Sequence, residues 1–281
     1  MTILQDDLDE LSKWAKDWRM FFHPEKCKVM ELSRSKRSTN TKVEFSMEVN
    51  DSGNRHTLAH TKVEKDLGIL ISNNLKFDIQ AKHAVAKACQ ILGQLKRTFR
   101  YWDSMTFKTL YSAYVRPHLE YCAPVWSPYR RKDISIIEKV QRRATKLVPY
   151  LKNLCYNERL IALNLTTLEE RRIRGDLIQF FKFFSGSNLI TWQKSPSKRV
   201  EPTGPAGGIR RDPHCLQRPG ITRCDQREHF FIYRVIPHWN ALPEEVIKSC
   251  SLNQFKNRLD IHLDNQRLTQ HEALRLGSIQ Y

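Results

Sequence analysis

Leu4, Leu8, Leu11, Trp14, Ala15, Trp18 and Phe22 recur at three- and four-residue steps, the interval that places side chains on one face of an α-helix. Asp6, Asp7, Asp9 and Glu10 load the early turns, where acids favour the positive end of the helix dipole, so the pattern predicts an amphipathic helix over 4–22. Pro24 stops it. Residues 26–32 then alternate polar and apolar as a strand does, and after the basic, aperiodic stretch 33–41 the alternation returns in Val43, Phe45, Met47 and Val49. The run Asn50 to Asn54 is turn-forming, which makes 55–63 the expected hairpin partner. Leu67 to Ile71 reads as a third strand, ended by Asn73 and Asn74.

From Asp78 the period becomes helical. Ile79, Val85, Ala86, Cys89, Leu92, Leu95 and Phe99 share one side, which predicts a helix ending near Tyr101. A second helix is expected from Ser104, a plausible N-cap, to the boundary before Pro117. The aromatic segment 121–126 is interrupted by Pro124 and followed by Pro128, so it reads as a packed connector. Asp133 opens a third strong helix with the apolar stripe Ile134, Ile137, Val140, Ala144 and Leu147, and with Lys132, Lys139, Arg142, Arg143 and Lys146 on other faces. Helical periods resume at 157–163 and at 167–184, the latter opened by the capping-box pattern of Thr167 and Glu170.

Residues 193–220 are rich in proline and glycine and have no hydrophobic period, as in a linker or an irregular wrap. Phe230, Phe231, Tyr233, Val235, Ile236 and Trp239 then form an apolar cluster, and 252–263 reads as a terminal helix through Phe255 and Leu259. The expected fold class is α+β, predominantly helical, with a small sheet ahead of a helical bundle.

Charge narrows the function. Across 281 residues, 47 Lys and Arg stand against 30 Asp and Glu, a net +17 suited to a polyanion such as nucleic acid. An anionic membrane is a weaker candidate, because no apolar run approaches the roughly 18 residues of a spanning helix. No secretory pattern follows Met1, so an intracellular protein, nuclear or cytoplasmic, is expected. The 7 cysteines are scattered without a close Cys-x-x-Cys pair and read as reduced thiols, not as disulfides or zinc ligands.

Several segments, taken in order, resemble a known family. Leu-Asp-Glu-Leu-Ser-Lys-Trp-Ala-Lys-Asp-Trp at 8–18, Phe22 and Lys-Cys-Lys-Val-Met at 26–30 are similar to the region after the catalytic motif in jockey-like and related non-LTR (LINE-type) retrotransposon reverse transcriptases. The likeness continues in Glu-Lys-Asp-Leu-Gly-Ile at 64–69, Leu75 to Phe77, and Leu-Tyr-Ser-Ala-Tyr-Val-Arg-Pro-His-Leu-Glu-Tyr at 110–121. Trp-Asn-Ala-Leu-Pro-Glu-Glu-Val at 239–246 and Ser-Leu-Asn-Gln-Phe-Lys-Asn-Arg-Leu-Asp at 251–260 resemble the closing segment of such proteins.

The resemblance implies a division into a palm remnant at 1–35, a hairpin and primer-grip-like segment at 36–77, a thumb-like helical domain at 78–155, a helical extension at 156–192, a linker at 193–228 and a C-terminal segment at 229–281. It places Lys26 near nucleotide phosphates, although a solvated lysine at a strand end is the plainer reading. It places Leu67 and Gly68 at the primer grip, where a residue without Cβ lets a strand approach closely; a simple turn is the alternative. It makes Lys82, Lys87, Lys96, Arg97, Arg100, Arg142, Arg143 and Lys146 candidate contacts to the phosphates of RNA, DNA or an RNA:DNA hybrid, against the plainer reading of solvated helix faces. Tyr101, Trp102, Tyr121 and Trp126 are candidates for base stacking or for core.

Family polymerases hold Mg2+ on palm carboxylates that include an aromatic-x-Asp-Asp motif. That motif is absent here; Asp6 and Asp7 follow Gln5 and read as helix-start acids. The chain is therefore expected to need no cofactor of its own, to be a truncated copy of a transposable-element enzyme, and to have no catalytic residues. The competing expectation is a vestigial or protein-interaction module whose uncovered first helix promotes self-association.

Overall fold

The computed structural model describes residues 3–20, 22–32, 43–48, 54–186, 196, 215–217, 220 and 224–277. The chain divides between Gln80 and Ala81 into two compact units.

In the first unit α1 (Ile3–Asp17) stops before its apolar repeat does. Arg19 takes a φ of 53°, Met20 N–H bonds the Ala15 carbonyl at 2.8 Å, and Arg19 N–H bonds that of Lys16 at 3.1 Å. These two bonds close the helix through a left-handed residue, a stop that an arginine in the usual glycine position does not advertise. Ser12 and Ala15 are buried on the inner face of α1.

The strands are short: β1 (Lys28–Val29), β2 (Ser46–Glu48), β3 (Arg55–Thr57), β4 (Ala59–His60), β5 (Val63–Asp66) and β6 (Ile69–Ser72). They form separate pairs, parallel β1–β4 and antiparallel β2–β3 and β5–β6, in place of one continuous sheet. Gln5 clamps α1 to β2, its Oε1 accepting from Ser46 N–H at 3.1 Å and its Nε2 donating to the Ser46 carbonyl at 2.9 Å. Arg55 on β3 adds an ion pair to Asp9 at 2.6 Å. The strand expected at 67–71 is displaced: Asp66 pairs with Ile69, which leaves Leu67 and Gly68 as a two-residue turn. The basic stretch 33–41 lies outside the described residues.

The second unit is helical. After α2 (Asp78–Thr98), α3 (Ser104–Leu110) is capped by Asp103, whose carboxylate accepts from Thr106 N–H at 2.7 Å, and not by the expected Ser104. The path continues through a π-helical turn, Tyr111–Val115, into α4 (Arg116–Glu120). Pro117 does not end it, because the π turn shifts the bonding frame just ahead of the proline: Arg116 N–H reaches back to the Tyr111 carbonyl. Short α5 (Ala123–Trp126) buries Trp126 completely.

Then come α6 (Arg131–Ala144), α7 (Tyr156–Ala162) and α8 (Leu168–Phe184). Thr167 and Glu170 exchange the side-chain-to-backbone bonds of a capping box, at 3.1 and 3.0 Å. Beyond the Pro/Gly-rich stretch lie α9 (Asp225–Glu228), α10 (Phe231–Asn240), α11 (Glu244–Ile247) and α12 (Leu252–Gly277).

One core joins α8, α10 and α12 through Phe180, Phe181, Trp239 and Phe255. Phe181 and Phe255 stack at 4.2 Å, and Phe180 meets Trp239 edge-on at 4.9 Å. Leu216, inside the stretch expected to be a linker, is 1% exposed in this core; Asn240 holds it by accepting from its N–H and donating to its carbonyl, each at 2.9 Å. Most of the remainder of 193–223 lies outside the described residues. With helices dominating a few short strand pairs, the fold is α+β and predominantly helical.

Candidate nucleic-acid interface

The sequence of α6 sorts its charges by angle. Ile137, Val140 and Ala144 are buried, and so are both of its acids, Asp133 and Glu138. Lys132, Lys139, Arg142 and Arg143 are exposed, and Lys146 follows in the one-turn extension Thr145–Leu147. At 100° per residue, Lys132, Lys139, Arg143 and Lys146 fall within one narrow sector, a stripe about 21 Å long at 1.5 Å per residue.

Arg142 and Arg143 also complement the negative C-terminal end of the helix dipole. Lys132 and Lys139 lie too far from that end to be explained this way. Crowding like charges on one face costs stability: Lys139 with Arg142 and Arg143, and Lys146 with Arg142 and Arg143, are neighbours whose repulsion sums to about 1–2 kcal/mol. A bound polyanion removes that penalty.

The buried side of α6 holds the face in place. Gln141 is fully buried; its Oε1 accepts from the Tyr111 hydroxyl at 2.7 Å, and its Nε2 donates to the Tyr156 hydroxyl at 3.0 Å and to the Thr166 carbonyl at 2.8 Å. Tyr156 in turn donates to Glu138, whose other oxygen accepts from Leu168 N–H at 3.0 Å at the start of α8. Burial pushes the Glu138 carboxyl up from its ordinary value, against the pull of those two hydrogen bonds. Burial likewise pushes the Tyr156 and Tyr111 hydroxyls up, so both stay protonated donors. This network ties α6 to the π turn, α7 and α8 and fixes its rotation.

Of the candidate residues, Arg143 and Lys146 make no ion pair among the described residues. Arg142 is partly committed, its guanidinium lying 4.3 Å from the centroid of the Tyr156 ring. On α2 the only acid is Asp78 in the first turn, while Lys82, Lys87, Lys96 and Arg97 are exposed. Lys82, Lys96 and Arg97 fall within one sector of that helix, whereas Lys87 lies to one side. Arg100 follows in the exposed loop before α3.

Trp126 is core, with its indole N–H donating to the Tyr121 carbonyl at 2.6 Å. Tyr101, 89% exposed, remains available for stacking. Lys132 and Lys139 were legible as cations but not as members of the stripe; plotting angle against residue type would have grouped them.

The remaining candidates lie in the first unit. Lys26 is exposed at the end of a 3-10 turn, Pro24–Lys26. Leu67 and Gly68 form the β5–β6 turn with φ values of 43° and 88°, the doubly left-handed geometry that matches the twist of a hairpin. Leucine is an unusual choice there, and its side chain is 85% exposed at the tip. Asp6 and Asp7 are exposed on α1, and no group of three His, Cys, Asp or Glu side chains able to hold a metal occurs among the described residues. No helix among them is long and apolar enough to cross a membrane.

Fold and surface together define a basic, mainly helical protein with one strongly cationic helix face. No protein-family model matches the chain, and no solved structure matches it. It is 27% identical over 124 residues to a Caenorhabditis elegans protein described as uncharacterized, a match covering 43% of this chain and 63% of that protein.

Proposed function

We propose that this chain binds RNA, DNA or an RNA:DNA hybrid through phosphate contacts on the cationic face of α6, supplemented by the polar face of α2. The observation that carries the reading is the segregation on α6, where both acids are buried and the cations project outward. The net charge of +17 and the ordered resemblance to non-LTR reverse transcriptases support it. In that reading α2 to α6 act as a thumb without its polymerase. Mg2+ belongs to the full-length enzyme of that family, and this chain extends no primer.

The test is equilibrium binding to a fluorescent RNA:DNA hybrid, with primer extension run in the same samples. Replacing Arg143 and Lys146 by glutamine should weaken binding while leaving the fold intact, because both side chains are exposed. Metal-dependent extension by the chain alone would contradict the reading.

A specific observation favours a second reading, an interaction module. On α1 Ser12 and Ala15 face inward, while Ile3, Leu4, Leu11 and Trp14, with Trp18 just beyond the helix end, are exposed. Trp18 is 67% exposed and its ring centroid lies 6.3 Å from that of Trp14. Apolar surface so arranged on one helix is a contact face.

A further inference from the structure

The α6 face accounts for phosphates but not for a second feature of the same unit. The loop between α2 and α3 and its surroundings expose Tyr101 at 89%, Met105 at 79%, Tyr150 at 64% and Phe99 at 37%. Single exposed aromatics are ordinary; a group of them on an ordered loop is not. Order here is explicit. Trp102 packs edge-on against Phe99 at 6.2 Å, and its indole N–H donates to the Phe99 carbonyl at 3.0 Å.

Asp103, the one acid of the loop, is consumed by capping α3, its carboxyl held below the ordinary value by the bond from Thr106. The Ser104 hydroxyl meets the Tyr150 hydroxyl, which ties the loop to the turn Pro149–Leu151 just beyond Lys146. The aromatic loop is thereby joined to the end of the α6 stripe. Lys96, Arg97 and Arg100 precede Tyr101 in the chain, Lys146 and Lys152 flank Tyr150, and all are exposed.

We propose that this loop is a stacking site for unpaired bases, with Tyr101 as the principal platform and Lys96, Arg97, Arg100 and Lys146 on the adjoining phosphates. The inference rests on the nucleic-acid reading above and deepens it by naming single-stranded nucleic acid as the ligand of this part of the surface. Aromatic faces and cations in alternation match a single strand, which offers both π faces and phosphates. A paired duplex keeps its base faces stacked inside and offers only phosphates to the same surface. A protein partner would have to bring acids beside an apolar patch, and its binding would not depend on unpaired bases.

The experiment measures the full chain and its Tyr101→Ala and Tyr101→Phe variants against three probes: a single-stranded oligonucleotide of about 12 nucleotides, the same backbone with abasic sites, and a blunt RNA:DNA hybrid. Tyr101 is nearly fully exposed, so its removal leaves the fold unchanged, which circular dichroism verifies. The expected result is a roughly 5- to 150-fold loss of single-strand affinity in Tyr101→Ala, retention in Tyr101→Phe, and no change for the abasic and hybrid probes.

If Tyr101→Ala binds the single strand as the parent chain does, while Arg143→Gln with Lys146→Gln weakens every probe, the stacking site is wrong and the phosphate reading survives. Equal weakening on all three probes by Tyr101→Ala also overturns stacking. Failure of the parent chain to bind any probe at low salt overturns both.

Discussion

Replacing Gln141 by leucine removes the hub of the buried network beneath α6. The Tyr111 hydroxyl, in a residue 1% exposed, loses its acceptor at 2.7 Å, and the Thr166 carbonyl loses a donor at 2.8 Å. Tyr156 keeps Glu138 as its partner and is largely spared. Each orphaned buried group costs about 1–3 kcal/mol, so the two together cost about 2–6 kcal/mol, of which burial of the leucine methyls returns about 1 kcal/mol. For a unit of this size that is a fall of several degrees, at roughly 2–4 °C per kcal/mol, in the melting temperature.

Urea denaturation followed by circular dichroism measures the loss, and adding Tyr111→Phe sharpens the test. With both partners gone no Tyr111 hydroxyl is left unpaired, so the double variant should be less destabilised than the sum of the single variants by about 1–2 kcal/mol. A loss below about 0.5 kcal/mol for Gln141→Leu, or strict additivity, would refute the claim that this network positions the helix.

Arg234 donates to both oxygens of buried Asp176, at 2.8 and 3.0 Å, yet burial still pushes the Asp176 carboxyl up from its ordinary value. Arg234→Met should therefore cost about 3–5 kcal/mol near neutral pH. Because a raised folded pKa gives stability that is present below the unfolded value and lost as pH rises through the folded one, the deficit should shrink on acidification; urea titrations at several pH values would expose a constant deficit as a contradiction. Leu67→Asn relieves a left-handed leucine and should stabilise the β5–β6 hairpin by about 1 kcal/mol, read as slower amide exchange in those strands, with faster exchange counting against the strain argument. Trp14→Lys with Trp18→Lys should abolish concentration-dependent association in sedimentation if the outer face of α1 is a contact surface; a parent chain that is monomeric at all concentrations removes that reading.

Much of the helical half was legible because its apolar periods are long and its signals local. The α6 stripe of Ile137, Val140 and Ala144 is buried as its spacing predicts, and the Thr167 and Glu170 capping box forms as written. Failures came where one residue's backbone state decides the outcome. Arg19 ends α1 in a left-handed conformation that glycine would have announced, and the π turn at Tyr111–Val115 carries the helix past Pro117 by a shift that sequence pattern does not encode.

Leu216 was invisible as core because a single apolar residue has no period, and its clamp, Asn240, lies 24 positions away. The candidate site was half legible. Arg143 and Lys146 were identifiable as cations, but the burial of Asp133 and Glu138, which turns a mixed helix into a one-signed face, became clear only from the packing of α6.

Phosphate binding by the α6 face is tested most directly by the salt dependence of RNA:DNA hybrid binding by the parent chain and by the Arg143→Gln, Lys146→Gln variant. Each phosphate contact contributes about 0.7–0.9 to the slope of log affinity against log salt. A phosphate-binding α6 face predicts steep salt dependence for the parent chain and a slope shallower by about 1.5 for the variant. Binding that is insensitive to salt, or a variant with the parent's slope and affinity, would contradict a phosphate-binding role for the α6 face.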